Sequence, residues 1–238
     1  MLRLNLEPAF ILHRRPWRES SELLELFSRH HGRLGAILRS SRGQRRAQRG
    51  NVQAFTPVLL SGSGREEGLL SVRSLEATSG RLLANGGSVA CGFYLNELLM
   101  YLLPRGHVSV ELFDAYMTAL GALSRGEAAA PWLRWVEYQL LLGLGEVQSL
   151  EFSLAQVAAS DDRFVLNADL SLHPMATEQE PTISIQELQA LVEGDAGSLS
   201  AGAENALRLR LAPRISQLLG GRRLHSRDML TTKSRSTL

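Results

Sequence analysis

Apolar positions follow two different rhythms along the chain. Between residues 8 and 76 they come in short runs separated by turn residues: "PAFILH", "LLELF", "RLGAILRSS", "AFTPVLLSG" and "GLLSVRSLEA". Runs of this length at roughly 8 to 12-residue spacing predict the strands of a small all-β barrel. One segment, "ESSELLELFSRHHG", fits two readings. Ser20 or Ser21 can cap a helix that ends at Gly32, with Leu23, Leu24 and Phe27 on one face, and the same residues also suit a strand. Pattern alone leaves it open.

From about residue 81 the spacing becomes helical. Leu95, Leu98, Leu99 and Leu102 recur at helical intervals, as do Leu112, Tyr116 and Leu120, and then Trp132, Val136 and Leu140. Pro104 and Pro131 mark helix boundaries. "SLEFSLAQVAASDDRFVLNADLSLHP" reads as an irregular insert with two short strands, around residues 147–180. Beyond it, "ISIQELQALVEG" and "AENALRLRLAPRISQLL" read as helices packing back on the earlier ones, the second disturbed at Pro213. The predicted class is α+β, with a barrel domain over residues 1–80 and a helical domain over 81–238. The polar end, from about residue 231, is expected to be disordered.

Composition narrows the class. Hydrophobic residues make up 44% and charged residues 21%, a balance that buries a real core. The apolar segments "GFYLNELLMYLLP" and "YQLLLGLG" fall short of the roughly 18 residues of a membrane span, and "MLRLNLEPAF" lacks the apolar core of a secretory signal. The expected location is therefore the cytoplasm. Cys91, the single cysteine, sits among apolar neighbours and reads as a buried inert thiol.

A net charge of +2 hides segregation: +6 over residues 1–80, −11 over 81–206 and +7 over 207–238. A basic front and a basic end point to a polyanionic partner. Charge is densest in "RSSRGQRRAQRG", where Arg39, Arg42, Arg45, Arg46 and Arg49 repel one another with no acid between them.

Several stretches in order resemble the bacterial RecO family of recombination mediators. "AFILHRRPWRESSELLELFSRHHGRL" carries the signature at Arg15, Pro16, Trp17, Glu19 and Ser21, "QAFTPVLL" and "GFYLNELL" follow, and "GGRRLHSRDML" closes the series. The resemblance implies an N-terminal five-stranded OB-fold, an α-helical domain after it, and a strand for "LLELFSRH". It places the arginine-rich segment in the loop between the third and fourth strands. There the five arginines are expected to meet phosphates, with salt-dependent and sequence-independent binding of single- and double-stranded DNA. Arg14, Arg15 and Arg18 are further DNA-binding candidates, whereas Trp17 reads as a structural side chain.

What the resemblance implies of function involves no bond chemistry and no cofactor: annealing of complementary strands and help in loading the recombinase RecA onto DNA coated with single-stranded-DNA-binding protein, together with the partner RecR. It also implies capture of that coating protein's acidic, phenylalanine-ending tail. Arg134, between Trp132 and Trp135, is the candidate for the tail's carboxylate, with Arg208 and Arg210 for its acids. Some relatives carry a four-cysteine zinc module after the helical core; here Ser153 stands near the place of a first cysteine, and no zinc is expected.

Two other classes compete. An enzyme acting on nucleotides needs a glycine-rich turn followed by lysine and a hydroxyl, but the only lysine is Lys233, and "GSGREEG" reads as a hairpin loop. Asp161, Asp162 and Asp169 lack a supporting motif and read as solvated surface, and the six histidines form no metal-binding pair. The alternative is a protein-interaction scaffold with only incidental DNA contact.

Overall fold

The structure is a computed structural model that describes residues 1–39, 53–65, 68–80, 82–83, 86–157, 162–174 and 180–226. Two compact units form, one of Met1–Ser124 with the chain from Leu224, the other of Arg125–Arg223.

The first unit is built on five strands: β1 (Leu2–Trp17), β2 (Ser21–Ser28), β3 (Gly32–Arg39), β4 (Val58–Gly64) and β5 (Leu70–Ala77). They close into a barrel in the order β1-β2-β3-β5-β4, with β3 and β5 parallel. Inward positions are filled by Ile11, Leu24, Leu26, Leu34, Leu38, Val58, Leu60 and Leu70. β1 pairs with β4 through residues 2–9 and with β2 through residues 9–17, and register shifts at Leu4/Glu7 and Ile11/His13 bend it between the two. The undecided segment is strand β2. Its burial is continuous because Leu24 and Leu26 fill the barrel while Phe27 packs outward, so it shows no strand alternation.

Two helices, α1 (Gly86–Leu102) and α2 (Val110–Ser124), cover that outward apolar surface. Phe10 and Phe27 meet Phe113 and Tyr116 with ring centroids 5.1 to 6.0 Å apart. This shared core is why the compact unit reaches Ser124, past the boundary at residue 80 drawn from the change in apolar spacing. At its centre Asn96 donates to the Leu12 carbonyl at 3.0 Å and accepts from the Tyr116 hydroxyl at 2.6 Å. Farther along α1, Glu97 accepts from the backbone N–H groups of His225 at 3.1 Å and Ser226 at 2.8 Å, so the chain returns to this unit after the second one is complete.

The segment between α1 and α2 is stitched to β3. Arg33 and Arg105 form a parallel bridge, Gly106 donates to the Arg33 carbonyl at 3.0 Å, and the Arg33 Nε donates to the Leu103 carbonyl at 2.7 Å. Gly32 makes the approach possible: its φ is +64°, and a Cβ there would lie 1.9 Å from the His107 oxygen.

The β2–β3 turn hangs on two carboxylates. Asp114 takes a two-pronged grip from Arg29 at 2.9 and 2.7 Å. Glu7, buried, accepts from the Ser28 hydroxyl at 2.6 Å, the His30 N–H at 2.8 Å and the His30 ring at 3.1 Å. Burial alone pushes the Glu7 pKa up, but the Ser28 and His30 hydrogen bonds outweigh it and hold the group below the ordinary 4.5. A depressed carboxyl pKa contributes stability that is present above the unfolded value and lost as pH falls through the folded one. The urea midpoint of the barrel unit should therefore drop on acidification below about pH 4.5, and Glu7→Gln should flatten that drop. Equal acid sensitivity in the variant and the parent would assign the effect to other carboxylates.

The second unit contains α3 (Ala129–Gly143), α4 (Leu150–Leu154), β6 (Arg163–Leu166), β7 (Leu172–Pro174), β8 (Thr182–Ser184), α5 (Ile185–Val192), a 3-10 turn at Ala196–Ser198 and α6 (Ala201–Leu219). The insert is more ordered than its composition suggests. Its strands β6 and β7 join a three-stranded sheet in the order β7-β6-β8, completed from beyond the insert by the "TIS" ahead of α5. Ser153 is buried, donates to the Leu170 carbonyl at 3.1 Å and accepts from Gln148 at 2.7 Å, tying α4 to the turn after β6. Glu187 joins two helix starts: it completes a capping box with Ser184 and accepts from the Ser200 N–H at 2.9 Å. Helix α6 packs on α3 and runs unbroken through Pro213, where a disturbance was expected. No helix among the described residues is long and apolar enough to cross a membrane.

Candidate functional site

Strand pairing sets out the outer face of β1, β2 and β3 as three successive rungs. Trp17, Ser21 and Arg39 share one, Arg15, Leu23 and Ile37 the next, and His13, Glu25 and Gly35 the third. All lie on the parity opposite to the barrel-filling Leu24, Leu26, Ala36 and Leu38. His13, Arg15 and Arg39 are exposed, and the Arg15 guanidinium stands 5.9 Å from the centre of the Trp17 ring. That distance is within cation–π range.

Arg14 lies on the inward parity and forms an ion pair with Glu22 at the end of the barrel. Arg18 is exposed in the β1–β2 turn at φ 55°. Arg39 ends β3, and the next strand begins at Val58, so the arginine-rich segment connects the third and fourth strands as expected. Arg42, Arg45, Arg46 and Arg49 lie outside the described residues, as do Asp161 and the end of the chain from residue 227.

On the third rung a cluster appears that spacing did not reveal. Glu25, buried, is paired with Arg33 at 3.4 Å and also with Arg105, which comes from the segment between α1 and α2. The two arginines are 72 positions apart in the numbering, and no local motif links them.

In the second unit, the residues read as a tail-binding set are already engaged. Arg134 is 12% exposed, with Glu137 at 2.8 Å and Glu204 at 3.7 Å. Trp132 donates to Glu127 at 2.9 Å, and the two tryptophans are 5% and 7% exposed with rings 6.0 Å apart. Gly194 and Gly197 press on them closely enough that a Cβ would lie 3.2 and 3.3 Å from their rings. Glu137 and Glu204 thus meet the charge of Arg134 from within the unit. Arg208 is exposed and donates to Asn205 at 2.6 Å. Arg210 donates to the Leu166 carbonyl and, with Arg214, Pro213, Glu146 and Asp169, lines a cavity of about 370 Å³.

Cys91 is buried in α1, and burial pushes its thiol pKa up, the opposite of what a nucleophile needs. Asp169 is occupied by the Ser171 N–H and hydroxyl. Among the described residues, no group of three or more His, Cys, Asp or Glu side chains is placed to hold a metal ion.

Family models match most of the chain: Recombination protein O N terminal over residues 2–81 and Recombination protein O C terminal over residues 84–168. The DNA repair protein RecO of Aromatoleum aromaticum is 37% identical over 232 residues, covering 96% of this chain and 95% of its own. The protein of the same name from Coxiella burnetii is 36% identical over 231 residues, covering 96% and 98%. That of Cellvibrio japonicus is 34% identical over 241 residues, covering 98% and 99%.

Proposed function

The chain belongs to the RecO family of DNA repair proteins, and from that premise we propose that it binds single- and double-stranded DNA and anneals complementary strands. The observation that carries this reading is the outer face of the barrel. Arg15 and Arg39 stand exposed on adjacent rungs there, and the segment with Arg42, Arg45, Arg46 and Arg49 leaves from the last of them. Guanidinium groups on such a face displace condensed counterions from phosphates and leave base edges free. Lowering the repulsion between two strands is then enough to speed their pairing, with no bond made or broken by the protein.

In this reading the protein works in the cytoplasm at the nucleoid with RecR, and helps RecA onto DNA coated with single-stranded-DNA-binding protein. The tail of the coating protein docks on the helical unit. Since Arg134 is held by two glutamates, Arg208 and the cavity edge at Arg210 are the better placed cations for the tail's acids. The deciding experiment is an annealing assay on complementary oligonucleotides coated with the cognate coating protein, without nucleotide. Faster annealing at stoichiometric protein is expected; failure to anneal coated or naked strands would remove the reading.

A further inference from the structure

We propose that Arg105, which lies outside the barrel sequence, is a phosphate contact of the barrel's outer face. This rests on reading that face as the DNA surface.

Gly35 sits opposite Glu25 on the third rung, and a Cβ on it would lie 2.9 Å from the Arg105 guanidinium and 2.8 Å from Leu69. A bare position in mid-strand weakens a sheet unless something needs to come close. Here the Arg105 guanidinium and the tip of Leu69 share the space a side chain would fill.

A tether is the plainer role, but the tether exists without this side chain. Arg33 already balances Glu25, and the Arg33 Nε bond to Leu103, the Gly106 bond to Arg33 and the backbone bridge hold the segment in place. Two guanidinium groups share a single carboxylate, so the cluster keeps a net positive charge. That charge resides on the more accessible partner: the Arg105 side chain is 48% exposed, against 17% for Arg33. Being held by Glu25 fixes the group in advance, so less freedom is lost when an anion arrives.

Position completes the argument. Gly35 and Arg39 are four residues apart on β3, a span of about 13 Å, over which a strand at B-form rise passes about four phosphates. Arg105, Arg15 and Arg39 therefore mark the two ends and the middle of one track on one face.

The test is titration of a fluorescent oligo(dT) against salt, using full-length protein. Arg105→Gln removes the charge; it should bind about fivefold more weakly, with a salt slope lower by about 0.7. Gly35→Ala, which displaces the guanidinium, should give the same phenotype while leaving the charge in the protein. If Arg105→Gln keeps the parent affinity and slope while Arg39→Ala lowers them, the DNA face stands and Arg105 is only a tether. If the parent protein fails to bind oligo(dT), the reading of the face falls and this assignment with it.

Discussion

Arg134→Ala should destabilise the helical unit by about 3–5 kcal/mol, because it removes the cation from a buried ionic group and leaves its carboxylate partner in a site closed to water. Glu137 is 1% exposed and Glu204 is 18% exposed, so neither is well placed to be resolvated in the native fold. Urea unfolding followed by tryptophan fluorescence is the measurement, since Trp132 and Trp135 flank the site and are packed against each other. Replacing the group together, Arg134→Met with Glu137→Leu and Glu204→Gln, should recover most of the loss, as no charge is then left to strand. A variant with parental stability and lost affinity for the acidic tail peptide would instead return Arg134 to tail docking.

Neutralising Arg45, Arg46 and Arg49 to alanine should lower the salt exponent of single-strand binding by about two, at 0.7 for each phosphate contact removed. Between 50 and 200 mM salt, the variant's affinity should then fall about 16-fold less than the parent's. Annealing should slow in parallel, and the melting temperature should stay where it was. An unchanged exponent would move the DNA surface to other cations, Arg208, Arg210, Arg214, Arg222 and Arg223 first among them. A weak dependence at every one of these positions would favour the scaffold reading.

The barrel was legible because four of its five strands are seven or eight residues long and punctuated by turn residues, so the runs alone indicated where the chain reverses. β2 was not, since a strand buried on both faces loses the alternation that identifies it, and Leu23, Leu24 and Phe27 then satisfy a helix equally well. Strand β8 is three residues long, too short for any period to show. In "PWLRWVEYQL" Glu137 stands three positions after Arg134, the spacing at which two side chains meet on a helix, so half of that ion pair could be read in advance. Glu204 could not, because only the packing of α6 on α3 brings it there. Arg105 was hidden for the same reason: its meaning depends on a bridge to β3, which no local pattern encodes.

Glu97 also sets an order of events during synthesis. The barrel and its two helices are complete as sequence at Ser124, yet the groups that bind Glu97 belong to His225 and Ser226. At about 5–20 residues per second, the roughly one hundred residues between them take on the order of 5–20 s to emerge. Through that interval Glu97 is without these donors while the second unit is made. The unit that is begun first thus receives its last residues after the second, and a chain cut short at Arg223 would carry every strand and helix named above but lack the groups that bind Glu97.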